Sequence, residues 1–176
     1  MDVTAEKLDG QFVTLGIDRE VFAVPVETVL EILDMRTLFR VPDAPAHLAG
    51  LIDVRGRGVP VIDLRIKLGL PGTAVTDGTR IMVLEVPVTG RQLILGLIAD
   101  RVFEVAPLDD GRIDPPPDIG ARWNSDYIRG VGRRGDNFVV VFDLARLFSD
   151  DEAALAKSAG DVARSSTGEN PACASR

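Results

Sequence analysis

The chain carries one motif twice. GLIDVRGRGVPVIDLRIKL, from Gly50, has a counterpart in GVGRRGDNFVVVFDLARLF, from Gly130, and the closing pairs Asp63-Leu64 and Asp143-Leu144 stand 80 positions apart. Upstream, FVTLGIDREVFAVPVETVLEI, from Phe12, lies against IMVLEVPVTGRQLILGLIADRVFEV, from Ile81. Both read as a strand, a polar turn with Arg19 or Arg91, an apolar strand, and an element carrying Glu31 or Glu104. Each copy is therefore a set of short strands closed by Asp-Leu and a helical turn. A unit of this size buries too little apolar surface to stand alone. Two small barrels packed together, with a groove between them, is the economical architecture.

Along the chain the signal is mostly β. Strands are expected over residues 11–17 and 21–26, around the turn Asp18-Arg19-Glu20. Residues 26–33 place Val26, Val29, Leu30 and Leu33 at the spacing of one helical face. A loop with Pro42 and Pro45 follows, then a hairpin over residues 50–65, then a Gly-, Pro- and Thr-rich connector over 69–78. Strands resume over 81–88 and 92–103. Asp114-Pro115-Pro116-Pro117 cannot be a paired strand, because proline has no amide donor. Residues 127–133 and 138–142 form a last hairpin that turns at Gly135-Asp136-Asn137. Residues 150–164 read as an amphipathic helix, and SSTGENPACASR as a disordered tail.

Of the 176 residues, 45% are hydrophobic, enough for a packed core. The net charge of −7 disfavours nucleic acid, which needs a basic surface. The single cysteine, Cys173, lies in the polar tail, so there is no disulfide framework and a reducing compartment is expected. MDVTAEKLDG is neither a signal nor a transit peptide, and apolar runs such as residues 93–99 are too short to span a bilayer. A soluble, cytoplasmic protein without membrane insertion is expected. The inventory for catalysis is thin. The only histidine, His47, has no identifiable orienting partner, and one histidine with one cysteine offers no transition-metal site. Asp109-Asp110 reads as a solvated turn, and Gly56-Arg57-Gly58 lacks the Gly-Lys-Ser/Thr ending of a phosphate loop. Trp123 and Tyr127 read as core or groove lining. The composition points to binding, with no catalytic residue, cofactor or metal.

FVTLGIDREVFAVPVETVLEI, RVPDAPAHLAGLIDVRGRGVPVIDLRIKLGL, LILGLIADRVFEV, IDPPPDIG, DYIRGVG and FVVVFDLARLF together resemble the CheW family, scaffolds that couple chemoreceptors to the histidine kinase CheA in bacterial chemotaxis. The pieces are collinear over roughly residues 10 to 149, and the Gly-x-Ile-x-x-Arg-Gly…Pro-Val-Ile-Asp-Leu-Arg block is the most specific of them. The resemblance implies a mainly β fold, two five-stranded SH3-like barrels packed together with short helices and a C-terminal helix. It implies a flexible N-terminus over 1–10 and a CheW-like domain over 11–149, with barrels at roughly 11–70 and 80–148. A helix and disordered tail then occupy 150–176. It also implies no catalysis.

The resemblance further implies a receptor-binding surface with Arg55 beside Glu31, an arginine–carboxylate pair able to hold two elements at a fixed angle. Gly50 and Gly56 allow close approach and a tight turn, Pro60 suits a strand edge or bulge, and Asp63 caps the helical turn after it. Val29, Leu51, Ile98 and Val102 are expected to line the groove that takes the receptor's helical-hairpin tip, although each would serve equally as ordinary core. Leu38 and Val41 on the first barrel, and Asp118 and Ile119 near the proline run, are the kinase-binding candidates. Two positions depart from the family. Asp53 stands where asparagine is usual and adds a negative charge beside Arg55. Asp114 stands where a basic residue is usual, in the region of the kinase contact that closes rings.

The expectation is a non-enzymatic adaptor between a methyl-accepting chemoreceptor and a CheA-type histidine kinase, cytoplasmic and recruited to membrane-associated receptor arrays. A scaffold of another chemosensory system, such as gliding or pilus motility, or a CheW-like domain of a larger signalling protein, would read the same way.

Overall fold

The structure is a computed structural model, and it describes residues 6–88, 90–115 and 125–148. Pro116, Pro117, Asp118, Ile119, Trp123, the helix expected over 150–164 and the tail after it lie outside the described residues.

Twelve strands are described. A short β1 (Glu6–Lys7) pairs with β10 (Arg112–Ile113). The other ten form two five-stranded sheets. Barrel A has the order β11 (Ile128–Arg134), β12 (Asn137–Phe142), β3 (Glu20–Pro25), β2 (Phe12–Ile17), β9 (Arg101–Ala106). Barrel B has the order β5 (Leu48–Val54), β6 (Arg57–Asp63), β8 (Arg91–Ala99), β7 (Arg80–Val88), β4 (Val29–Asp34). In each sheet one pairing is parallel, β12 with β3 and β6 with β8. The fold is the expected pair of SH3-like barrels.

The barrels do not divide the chain at residues 70–80, as the repeat suggested. Barrel A takes its hairpin β2–β3 from the first copy and β9, β11 and β12 from the second. Barrel B takes β4, β5 and β6 from the first copy and its hairpin β7–β8 from the second. The copies exchange their opening hairpins, so neither copy contains a complete sheet.

Each barrel closes by a backbone bridge. Phe39 and Leu51 exchange hydrogen bonds of 2.9 and 2.8 Å, joining the chain after β4 to β5. Asp114 and Val131 exchange two bonds of 2.8 Å, joining the chain after β10 to β11. The second bridge stops at the residue before Pro115, where the amide donor runs out. A glycine lies beside each bridge. A Cβ on Gly50 would meet the Phe39 carbonyl oxygen at 2.5 Å, and one on Gly130 would meet that of Asp114 at 2.6 Å. Strand registers slip at matching places too, between Leu48 and Gly50 and between Ile128 and Gly130.

The central strands are apolar throughout because both of their faces are buried. Val13, Leu15 and Ile17 of β2 join Met82, Leu84, Val86 and Val88 of β7 in one cluster shared by both sheets. The alternate faces supply smaller clusters within each sheet, Phe12, Ala23 and Val141 in barrel A, and Ile52, Val61 and Ile81 in barrel B. Each fully buried aliphatic or aromatic side chain contributes roughly 1.5–3 kcal/mol of apolar transfer, so the shared cluster ties the barrels together. Phe22 and Phe142, both members of it, stack with ring centroids 4.7 Å apart.

Two expected elements differ. Residues 26–33 are not a helix. Val26–Thr28 form a single 3-10 turn, and β4 then pairs with β7 through Glu31–Val83, Ile32–Met82 and Leu33–Ile81. So short a stretch gains little from an isolated helical nucleus, whereas the open edge of β7 offers a full ladder. The strand expected over 92–103 breaks at Asp100, where the chain leaves barrel B as β8 and enters barrel A as β9.

Candidate functional site: a cleft on barrel B and the β5–β6 tip

After β4, residues 35–46 fold back over barrel B before β5 begins. Between this segment, the start of α1 (Leu64–Lys67) and the corner at Asp100 lies a cleft of about 630 Å³. Leu38, Val41 and Ile98 line it, with Asp63, Arg65 and Asp100 on its polar side. The expected receptor residue Ile98 and the expected kinase residues Leu38 and Val41 thus share one depression. Gly50 and Leu51 lie on β5, and the bridge from Leu51 to Phe39 holds the overlying segment in place.

The first turn of α1 is fixed by its cap. The Asp63 carboxylate accepts from the amides of Arg65 (3.0 Å) and Ile66 (3.5 Å). The Asp63 amide in turn donates to the His47 carbonyl at 2.8 Å, which anchors the loop before β5. His47 therefore serves the cleft wall through its backbone.

Val29 and Val102 are half-buried against the shared cluster, one on β4 and one on β9. Beside them the two edge strands leave Leu30, Ile32, Phe103 and Val105 exposed. Glu31 is half-buried on β4. Arg55 is exposed at the two-residue turn between β5 and β6, where φ is +54° at Arg55 and +81° at Gly56. Positive φ at both central residues is the geometry of a type I′ hairpin turn. Val29 and Val102 thus lie against the shared cluster and Arg55 at the β5–β6 tip, and none of the three lines the cleft.

The expected pairing of Arg55 with Glu31 is not formed: among the described residues no ion pair joins them. A residue one position short of the turn explains the geometry. Pairing of β5 with β6 ends at Val54–Arg57, so Arg55 belongs to the tip and not to the ladder. Nor does Asp53 compete for Arg55. Its carboxylate accepts from the Gly56 amide at 2.8 Å and closes the turn, a bond that an asparagine oxygen would make equally well.

Arg65, Asp100 and Asp18 carry a network that the sequence reading left without a role. Arg65 donates to Asp100 Oδ2 at 2.7 Å and to the Pro71 carbonyl at 2.9 Å, and its guanidinium lies 3.9 Å from Asp18 Oδ1. One signal was available in the sequence: the first copy reads Asp-Leu-Arg, whereas the second reads Asp-Leu-Ala.

Among the described residues no group of His, Cys, Asp and Glu side chains could hold a metal ion, and no helix is long and apolar enough to cross a membrane. The CheW-like domain family matches residues 11–152. The chain belongs to the CheW-like family. It is similar to the chemotaxis protein CheW of Klebsiella aerogenes, with 27% identity over 153 residues covering 87% of this chain and 90% of that one. It is also similar to Protein FrzA of Myxococcus xanthus, with 32% identity over 114 residues covering 65% and 68%. Among solved structures, the scaffolding protein TtCheW of Thermoanaerobacter tengcongensis superposes with a TM-score of 0.71 at 26% identity, covering 84% of this CheW-like chain and 92% of that one.

Proposed function

We propose that this CheW-like chain is a non-enzymatic chemotaxis adaptor that holds a methyl-accepting chemoreceptor and a CheA-type histidine kinase in one complex. The observation that carries the reading is the family match over residues 11–152, together with the same two-barrel architecture in a chemotaxis scaffold. The adaptor works by binding and geometry, without turnover, cofactor or metal. It is cytoplasmic and reaches the membrane only through the receptor.

In this reading Val29, Glu31, Gly50, Leu51, Arg55, Ile98 and Val102 serve the receptor, and Leu38, Val41, Asp118 and Ile119 serve the kinase. Arg55 is supported by its own backbone. A left-handed conformation costs a non-glycine residue about 1–2 kcal/mol. The matching tip of barrel A has glycine at that place, Gly135, with φ +58°. An arginine kept where glycine is cheaper is a side chain retained for its head group, exposed and without an ion-pair partner among the described residues.

A pull-down from native cytosol with the full-length chain tests the reading. Recovery of a chemoreceptor together with a CheA-type kinase, reduced at least tenfold by Arg55→Glu while the fold persists, is expected. Recovery of neither by a folded chain would contradict it. The similarity to FrzA favours a second reading, a CheW-like scaffold of another chemosensory system, which recovery of a different receptor–kinase pair would identify.

A further inference from the structure

One crossing of the chain between the two barrels is the single residue Asp100, between β8 in barrel B and β9 in barrel A. Barrel A holds Asp100 twice: its amide donates to the Gly16 carbonyl at 3.1 Å, and its Oδ2 accepts from the Asp18 amide at 2.7 Å. Barrel B holds the same oxygen through Arg65 at 2.7 Å. Arg65 lies in α1, and its Nε donates to the Pro71 carbonyl. Its side chain is only 12% exposed. Charge-assisted bonds shielded from water in this way are strong and directional. A planar guanidinium also serves several acceptors at fixed angles, which a lysine ammonium cannot do.

The repeat separates this network from the needs of the helical turn. Asp63 and Asp143 cap α1 and α2 (Leu144–Leu147) alike. Yet the residue that follows Asp-Leu is Arg65 in the first copy and Ala145 in the second. The turn forms without an arginine, so Arg65 is present for something beyond it.

We infer that Arg65 and Asp100 are a latch between the barrels, built on one copy of the repeat only, that fixes their relative angle. Both residues line the cleft on barrel B beside Leu38, Val41 and Ile98. They are positioning residues: they hold the β2–β3 turn of barrel A against α1 of barrel B through one carboxylate.

The test uses the full-length chain with Cys173→Ser and nitroxide labels at Gln92→Cys on β8 and Asn137→Cys on β12, both exposed. Pulsed dipolar spectroscopy then reads the distribution of distances between the barrels. The parent is expected to give one narrow distribution. Arg65→Met and Asp100→Asn are expected to at least double its width with unchanged circular dichroism, and Arg65→Lys to fall between. If Arg65→Met does not fold, the milder Asp100→Asn carries the test. A parent-like width in the folded variants overturns the latch, even if their melting temperature falls, because a merely structural role would lower stability without broadening the distribution. The cleft's place in the adaptor rests on the function proposed above, but this measurement needs no partner. Failure of the latch therefore leaves the adaptor standing, and failure of the adaptor leaves the latch standing.

Discussion

In barrel A, Glu104 on β9 and Arg134 on β11 join the two outer strands by an ion pair of 2.9 Å. The matching positions in barrel B are Glu31 and Val54, and no pair can form there. The arginine of barrel B has moved one residue on, to Arg55 at the tip, while the matching place in barrel A is Gly135. Both barrels nevertheless close identically in their backbones, through Phe39–Leu51 beside Gly50 and Asp114–Val131 beside Gly130. Closure is therefore the task of main-chain bonds and of two glycines that let the main chains approach. The side chains around it were free to diverge. Barrel A used an arginine to tie its own edges, and barrel B left one exposed and another, Arg65, bound across to the neighbouring barrel.

The largest effect is expected at the closure glycines. Gly50→Ala drives a Cβ into the Phe39 carbonyl and must also hold φ +154°, so a loss of about 3 kcal/mol or more in denaturant unfolding is expected. Gly130→Ala meets the same backbone obstruction without the positive φ, and a smaller but comparable loss is expected. A negligible loss at either site would mean that the barrels are not closed alike.

The caps come next. Asp63→Ala removes an acceptor for two amides, and Asp143→Ala an acceptor for one, at 3.2 Å. About 1 kcal/mol is expected for the first and less for the second, read as shifts in melting temperature. The reverse order would show that α2 depends on its cap more than α1 does.

The smallest effect is expected at the ion pair. Glu104→Gln should cost about 0.5 kcal/mol, since Glu104 is 61% exposed and water screens the pair. Glu31→Gln should leave stability unchanged while weakening receptor capture. Equal losses at the two glutamates would erase the distinction between the barrels.

Much of this plan was legible in the residues. The repeat announced two barrels, the Asp-Leu pairs announced two helical turns with a cap at Asp63, and the glycine of the Gly50 block announced a close approach. The exchange of hairpins was not legible, because a period-2 pattern says which face of a strand is buried and not which strand lies beside it. Val26, Val29, Leu30 and Leu33 fit a helical stripe, which predicts a helix where β4 forms. Leu30 is in fact exposed, and only pairing with β7 decides the matter. The Arg55–Glu31 pair failed by a single residue of register, which places Arg55 in the turn. The Arg65 network joins residues 35 and 82 positions apart through one oxygen of Asp100, a proximity that no spacing in the sequence encodes.

The adaptor itself is tested most directly by reconstitution. A chemoreceptor cytoplasmic fragment, a CheA-type kinase and the full-length chain are mixed, and autophosphorylation of the kinase is followed with each component omitted in turn. Kinase activity that depends on the receptor only when this chain is present, and that Arg55→Glu largely abolishes, is the expected result. Receptor control that is the same with and without the chain would contradict the account.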